Sequence, residues 1–153
     1  MTLICDIEEK TGLKTVIFDI DGTLSDNSHR QHFLEQKHKD WEGFFKECEK
    51  DKPILHTIIF LDALKKLGYK IIIITGRPTK YKYETIRWLK DHLVEFDELL
   101  MRPYGNFKEA RILKEELFQE VINKGYSPEI AFDDEQKIID LWKEKGIRTF
   151  LVK

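Results

Sequence analysis

The sequence predicts an α/β fold, a central parallel sheet of about five strands flanked by helices. Three features point there. Short stretches rich in β-branched residues alternate with amphipathic helical stretches along nearly the whole chain. The strand stretches are mostly apolar, which suits strands covered on both faces. Three helical stretches run into a glycine, at Gly68, Gly125 and Gly146, the residue that most readily ends a helix and returns the chain to the sheet.

Taken in order, residues 15–19 read as the first strand. Residues 24–53 then break the alternation. They are too few for a cap domain of ~50 residues and predict a small helical insert that serves as a lid. Inside it, Trp41, Phe44, Phe45 and Cys48 fall at i, i+3, i+4 and i+7 behind Asp40 as a cap, so 40–50 reads as a helix with those four residues inward. A helix over 55–67 stops at Gly68 and leads to a strand over 70–75. Residues 79–92 read as a helix with Pro78 placed early, where a missing N–H costs little, and with Ile86 and Leu89 facing the core. A strand over 98–101, a helix over 107–123, a strand over 130–133, a helix over 135–145 and a last strand over 148–152 complete the pattern. No repeat, low-complexity tract or linker interrupts it, so residues 1–153 are expected to form one domain.

Composition narrows the function. The 26 Lys and Arg against 28 Asp and Glu leave a formal charge of −2, which argues against a histone-like or membrane-bound role. An apolar share of 41% is enough for a core and excludes a disordered chain. No apolar run approaches the ~20 residues of a bilayer helix. Asp6, Glu8 and Glu9 follow Met1 where a secretory signal would be basic and then apolar, so a cytoplasmic protein is expected. Cys5 and Cys48 are too few for a disulfide framework or a zinc site and read as reduced thiols.

The chemistry sits where the apolar runs stop, because parallel sheets bind ligands beyond the carboxyl ends of their strands. The first strand ends in Asp19-Ile20-Asp21-Gly22-Thr23, the second in Thr75-Gly76-Arg77 and the fourth in Asp133-Asp134. Asp21-Gly22 alone would read as a turn. Four carboxylates at one mouth, Asp19, Asp21, Asp133 and Asp134, instead call for a hard divalent cation such as Mg²⁺, since crowded like charges are costly without one.

These residues resemble the haloacid dehalogenase superfamily of phosphotransferases, whose Asp-x-Asp-x-Thr signature matches residues 19–23. The resemblance implies a Rossmann-like fold in which Asp19 takes up the phosphoryl group and Asp21 acts as general acid and base. It implies Thr75 on a phosphoryl oxygen, a third-motif lysine at Lys114 or Lys108, with Lys114 preferred, and metal binding by the Asp133-Asp134 pair. A closer resemblance, over nearly all of 15–152, is to the 3′-phosphatase domain of phage and bacterial polynucleotide kinase phosphatases. It rests on Arg30, Gly76-Arg77, the 79–81 run with Thr85 and Trp88, Lys114-Glu115-Glu116, and Asp133-Asp134 leading to Trp142 and Gly146-Ile147. It implies that Arg30, Arg77, Gly76, Thr75 and Thr23 serve the substrate phosphate, while Trp88 and Trp142 read as ordinary core aromatics. Two positions depart from the family pattern: Ala110 stands for an acidic residue and Glu135 for an arginine.

No Gly-x-x-x-x-Gly-Lys-Ser/Thr loop occurs, so no ATP chemistry is implied. The expected activity is Mg²⁺-dependent phosphomonoester hydrolysis at 3′-phosphorylated nucleic acid ends, with Lys80, Lys82, Arg87, Arg102, Lys108 and Arg111 as a local basic rim and a separate kinase or ligase of a repair system as partner. The alternatives are a phosphatase of free nucleoside monophosphates or other small esters, and a binding module without turnover. A phospho-receiver domain is set aside, because its aspartate follows a middle strand.

Overall fold

The computed structural model describes residues 13–153, so Cys5 and the acidic residues near Met1 lie outside the described residues. Strand β1 is Leu13–Phe18. The insert follows: β2 (Ser25–Asp26), a 3₁₀ turn over Ser28–Phe33, α1 (Trp41–Lys46), a 3₁₀ turn over Cys48–Lys50 and β3 (Lys52–Pro53). Then come α2 (Leu55–Lys66), β4 (Lys70–Pro78), a 3₁₀ turn over Thr79–Tyr81, α3 (Lys82–Asp91), β5 (Glu98–Arg102), α4 (Ala110–Asn123), β6 (Tyr126–Asp133), α5 (Gln136–Glu144) and β7 (Arg148–Leu151).

The five long strands form one parallel sheet in the order β5-β4-β1-β6-β7. Alternate residues of the central strands enter opposite cores. Val16, Phe18, Ile71 and Ile73 pack with Leu61, Trp88 and Leu89 of α2 and α3. Ile17, Ile72 and Ile74 pack with Leu113, Leu117, Ile138 and Trp142 of α4 and α5. Burying both faces makes the strands apolar throughout, as their sequences suggest. Trp88 and Trp142 are both core residues. The predicted stops hold as well: Gly68, Gly125 and Gly146 all adopt positive φ just after their helices.

Two irregularities aim the site. Residues Thr75 and Pro78 of β4 pair with the adjacent Met101 and Arg102 of β5, so Gly76 and Arg77 bulge out of the ladder. A bulge re-aims side chains, and this one sends Arg77 toward the end of β1. In β6, Pro128 pairs with Thr15 and Ile130 with Val16, leaving Glu129 extra. The strand thus begins at Tyr126 rather than at 130, and Pro128, which has no N–H to donate, sits beside the irregularity.

The insert is a loop with its own neck. Ser25 pairs with Pro53 and Asp26 with Lys52 in an antiparallel ladder that closes its base. Asp40 caps α1 as expected, its Oδ1 accepting from the Gly43 N–H at 2.9 Å. The helix is shorter than 40–50, and Phe44, Phe45 and Cys48 are buried while Trp41 is not. Ile86 is likewise exposed: Trp88 and Leu89, with Thr85, take the inward face of α3. The 79–92 stretch opens with the 3₁₀ turn, and the α-helix within 107–123 starts at Ala110.

Candidate active site

At the carboxyl ends of β1 and β6, carboxylate oxygens of Asp19, Asp133 and Asp134 lie within 4.8 Å of one another. Asp19 is fixed there by its own N–H, which donates to the Phe132 carbonyl at 3.1 Å. Lys114 projects from the first turns of α4 into the same place, buried, with Nζ 2.7 Å from Asp133 Oδ2 and 3.1 Å from Asp19 Oδ1. Lys108 is instead exposed and paired with Glu116, so Lys114 is the lysine at the mouth. Asp133 is committed further, its Oδ1 accepting from the Glu135 N–H at 3.1 Å.

The charges do not balance. Burial raises the Asp19 carboxyl well above its ordinary range; Lys114 opposes this, and Asp133, Asp134 and Asp21 reinforce it. Burial, with Asp133 and Glu135, pushes Asp134 up to about 6. Burial works against the Lys114 charge, but Asp19 and Asp133 hold its ammonium firmly protonated. Three carboxylates facing one ammonium make a surplus of negative charge with oxygen donors only, the set that suits a hard divalent cation. Gly22 keeps the mouth open: at φ +81 it has no Cβ, and one would lie 2.2 Å from Asp134 Oδ2.

Asp21 is not part of that trio, contrary to the expectation of four ligands. Its carboxylate turns to Arg77, whose Nη2 donates to Oδ1 at 2.8 Å and whose Nε is 3.1 Å from both oxygens, and to Arg30, whose Nη2 also donates to Oδ1. Burial alone would raise this carboxyl, but Arg77 and Arg30 outweigh it and hold it at about 2. Asp21 therefore rests as an anion.

Arg30 and Arg77 are themselves fully buried. The expectation that their guanidiniums meet a substrate phosphate differs from what they do here, which is to hold carboxylates. The second anion is Asp51, at the end of the insert. It accepts from Arg30 Nε and Nη2 at 2.7 Å each, from Arg77 Nη2 at 3.1 Å and from Ser25 Oγ at 2.9 Å, and it meets His29 Nε2 at 2.8 Å. Trp88 Nε1 anchors its carbonyl at 2.8 Å. Sequence reading passed over Asp51 because it stands in a charged run, Glu49-Lys50-Asp51-Lys52, that resembles a solvated surface.

The remaining predicted residues surround the mouth. Thr75 is buried with its hydroxyl accepting from the Arg77 N–H at 3.2 Å. The Gly76 carbonyl accepts from Arg102 Nε at 3.0 Å. Thr23 is buried, and its hydroxyl has no partner among the described residues. Much of the basic rim is paired: Lys80 with Glu42, Lys108 with Glu116, Arg111 with Glu144 and, more loosely, Arg87 with Glu49. Among the described residues, no helix is long and apolar enough to cross a membrane.

Residues 13–153 match the family described as the polynucleotide kinase PNKP phosphatase domain. Among solved structures, the chain is similar to a chain of the Pnkp1/Rnl/Hen1 RNA repair complex at 31% identity and TM-score 0.80, covering 92% of this chain and 42% of that one. A second structure of the Pnkp1/Rnl/Hen1 complex matches at 30% identity and TM-score 0.78, over 94% of this chain and 47% of the other. This chain thus spans under half the length of those two. A class C acid phosphatase from Bacillus anthracis with tungstate bound shares the fold at TM-score 0.65 and 16% identity, over 95% of this chain and 69% of that one.

Proposed function

Because the chain belongs to the polynucleotide kinase PNKP phosphatase domain family and is a haloacid dehalogenase-type phosphatase, we propose that it removes 3′-phosphates from polynucleotide ends through a phosphorylated Asp19, with Mg²⁺ as cofactor. The observation that carries this reading is the meeting of Asp19, Asp133, Asp134 and Lys114 at one mouth. When bound by Asp19, Asp133 and Asp134, Mg²⁺ supplies Lewis-acid neutralisation of the phosphoryl oxygens. Among the described residues, Lys114 pairs with Asp19 and Asp133 and not with Asp134, which leaves Asp134 the carboxylate most available to the ion.

An oxygen of Asp19 attacks phosphorus, and the ester P–O bond to the polynucleotide breaks as the acyl phosphate forms. Lys114 neutralises the nucleophile at rest and the transferring group during the step. The Thr75 and Thr23 hydroxyls and the Gly76 backbone hold phosphoryl oxygens. Asp21 gives a proton to the leaving 3′-oxygen, then takes one from the water that attacks the acyl phosphate and releases inorganic phosphate. With its carboxyl held at about 2, the clamped Asp21 is too acidic to carry a proton at neutral pH. Burial acts in the opposite direction to the two guanidiniums, so proton transfer by Asp21 requires its carboxylate to leave Arg77 and Arg30. Arg30 and Arg77 set its resting position.

The resemblance to a chain of the Pnkp1/Rnl/Hen1 RNA repair complex supports a repair setting with a separate kinase or ligase as partner. Free nucleoside monophosphates are the second reading, favoured by the pairing of the rim lysines and arginines with acids. Phosphate release from a 3′-phosphorylated oligonucleotide, a 5′-phosphorylated one and free nucleotides separates the two. Fast release at the 3′ end alone supports end repair, and preference for free nucleotides replaces it with nucleotide turnover.

A further inference from the structure

We propose that an exposed aromatic ledge built from Trp41 of the insert and Tyr104 beyond β5 binds the unpaired bases of a single-stranded polynucleotide 3′ end; this rests on, and deepens, the polynucleotide reading above. Trp41 is 50% exposed and packed on neighbouring rings, and Tyr104 is 69% exposed on a backbone tied to Thr79. Trp41 packs on Phe44 and Phe45 with ring centroids 5.9 and 6.0 Å away, and Phe45 continues to Tyr81 at 5.7 Å. The Tyr104 N–H donates to Thr79 Oγ1 at 3.0 Å. Solvent-exposed aromatic rings are what base stacking uses.

The ledge belongs to the mouth. The Arg30 guanidinium lies 4.1 Å from the centre of the Phe44 ring and donates to the Phe44 carbonyl at 3.2 Å, while its other donors hold Asp21. Three contacts, through Phe44 and Arg30, therefore lead from Trp41 to the second aspartate of the catalytic motif. Tyr104 follows β5, whose carboxyl end faces the same side as those of β1 and β4. Lys39 lies 5.7 Å over Trp41, and Lys80 lies 5.7 Å over Tyr81 and 5.6 Å over Tyr104. A cation beside each aromatic face matches a strand in which every base carries a phosphate.

Charge complementarity alone does not hold this ligand, since Lys80 Nζ already donates to Glu42 Oε1 at 2.8 Å. Stacking is left as the main grip, so binding should weaken only slightly with salt, unlike attachment that neutralises many phosphates. A duplex end keeps its bases paired and gains nothing from the ledge.

The test uses two readouts. Trp88 and Trp142 are buried, so of the tryptophans a bound oligonucleotide can stack only on Trp41, and a 3′-hydroxyl hexanucleotide should quench part of the intrinsic fluorescence of the parent, whether or not hydrolysis occurs, and leave that of Trp41→Phe unchanged. In turnover, the ratio of kcat/KM for a 3′-phosphorylated single-stranded hexanucleotide to that for p-nitrophenyl phosphate should fall about tenfold in Trp41→Ala and in Tyr104→Ala, through KM, and recover in Trp41→Phe. An unchanged ratio in the double variant, with the hexanucleotide still hydrolysed, overturns the ledge and leaves the 3′-phosphatase reading standing. Quenching by the hexanucleotide with no 3′-phosphate release supports the ledge and overturns that reading. Absence of quenching overturns the ledge.

Discussion

Arg30 and Arg77 have no access to solvent and need two anions, and Asp51 is the one that the Asp-x-Asp motif does not provide. Removing one member of a buried ion network strands the others and costs about 3–5 kcal/mol. Asp51→Ala should therefore lower the urea midpoint sharply and abolish turnover, while Asp51→Asn, which keeps shape but not charge, should retain some stability and little activity. The network also sets a pH limit. A carboxyl lowered from 3.8 to about 2 contributes stability that is complete above pH 4 and lost as pH falls through 2, so the Asp21→Asn variant should lose the acid-limb slope that the parent shows in that window. At Gly22, alanine meets both a positive φ and the Asp134 carboxylate at 2.2 Å. Gly22→Ala should cost about 1 kcal/mol or more in stability and, by displacing Asp134, weaken Mg²⁺ activation more than it weakens the fold; equal metal dependence in variant and parent would count against Asp134 as a ligand.

At the scale of elements, α1 has six residues and leans on its cap and its aromatic face. Asp40→Ala should cost about 1 kcal/mol, read as a lower thermal midpoint, and loosen Trp41 without touching the trio at Asp19. Asp40 and the three glycine stops could be read in the sequence because capping and positive φ are local demands met by few residue types. The strand ends could be read for a similar reason: an apolar run that stops at an aspartate marks where the chain leaves the core. Other elements left no local trace. The β2–β3 ladder is two residues long, too short for any periodicity, and it forms because residues far apart in sequence close the insert's neck. The bulge that swings Arg77 out of β4 depends on its register with β5, which composition does not encode. Trp41 has the helical spacing of a core residue yet remains exposed, because α1 stops at Lys46 and its inward face is filled by Phe44 and Phe45. Asp51 shows the converse, a charged residue in a charged run that folding carries into the interior.

For the whole molecule, a formal charge of −2 conceals a sharp division. Lys80, Lys108, Arg111 and Lys145 on the surface are matched by nearby acids, whereas the mouth keeps a surplus of carboxylates. A cation that binds there only in the folded state stabilises by mass action, about 2.7 kcal/mol at a hundred times its dissociation constant. Mg²⁺ should accordingly raise the thermal midpoint of the parent protein and have little effect on Asp134→Asn; an equal rise in both would place the ion elsewhere. The topology explains why chemistry collects at this mouth: β1 lies between β4 and β6, so the motifs that end these three strands converge although they are separated by more than a hundred residues from Asp19 to Asp133. The most direct test of the proposed activity is the rate of Mg²⁺-dependent phosphate release from a 3′-phosphorylated oligonucleotide by the parent protein and by Asp19→Asn. Release by the parent with a loss of about a thousandfold or more in the variant is the predicted result, and release that survives in Asp19→Asn would contradict a phosphorylated Asp19.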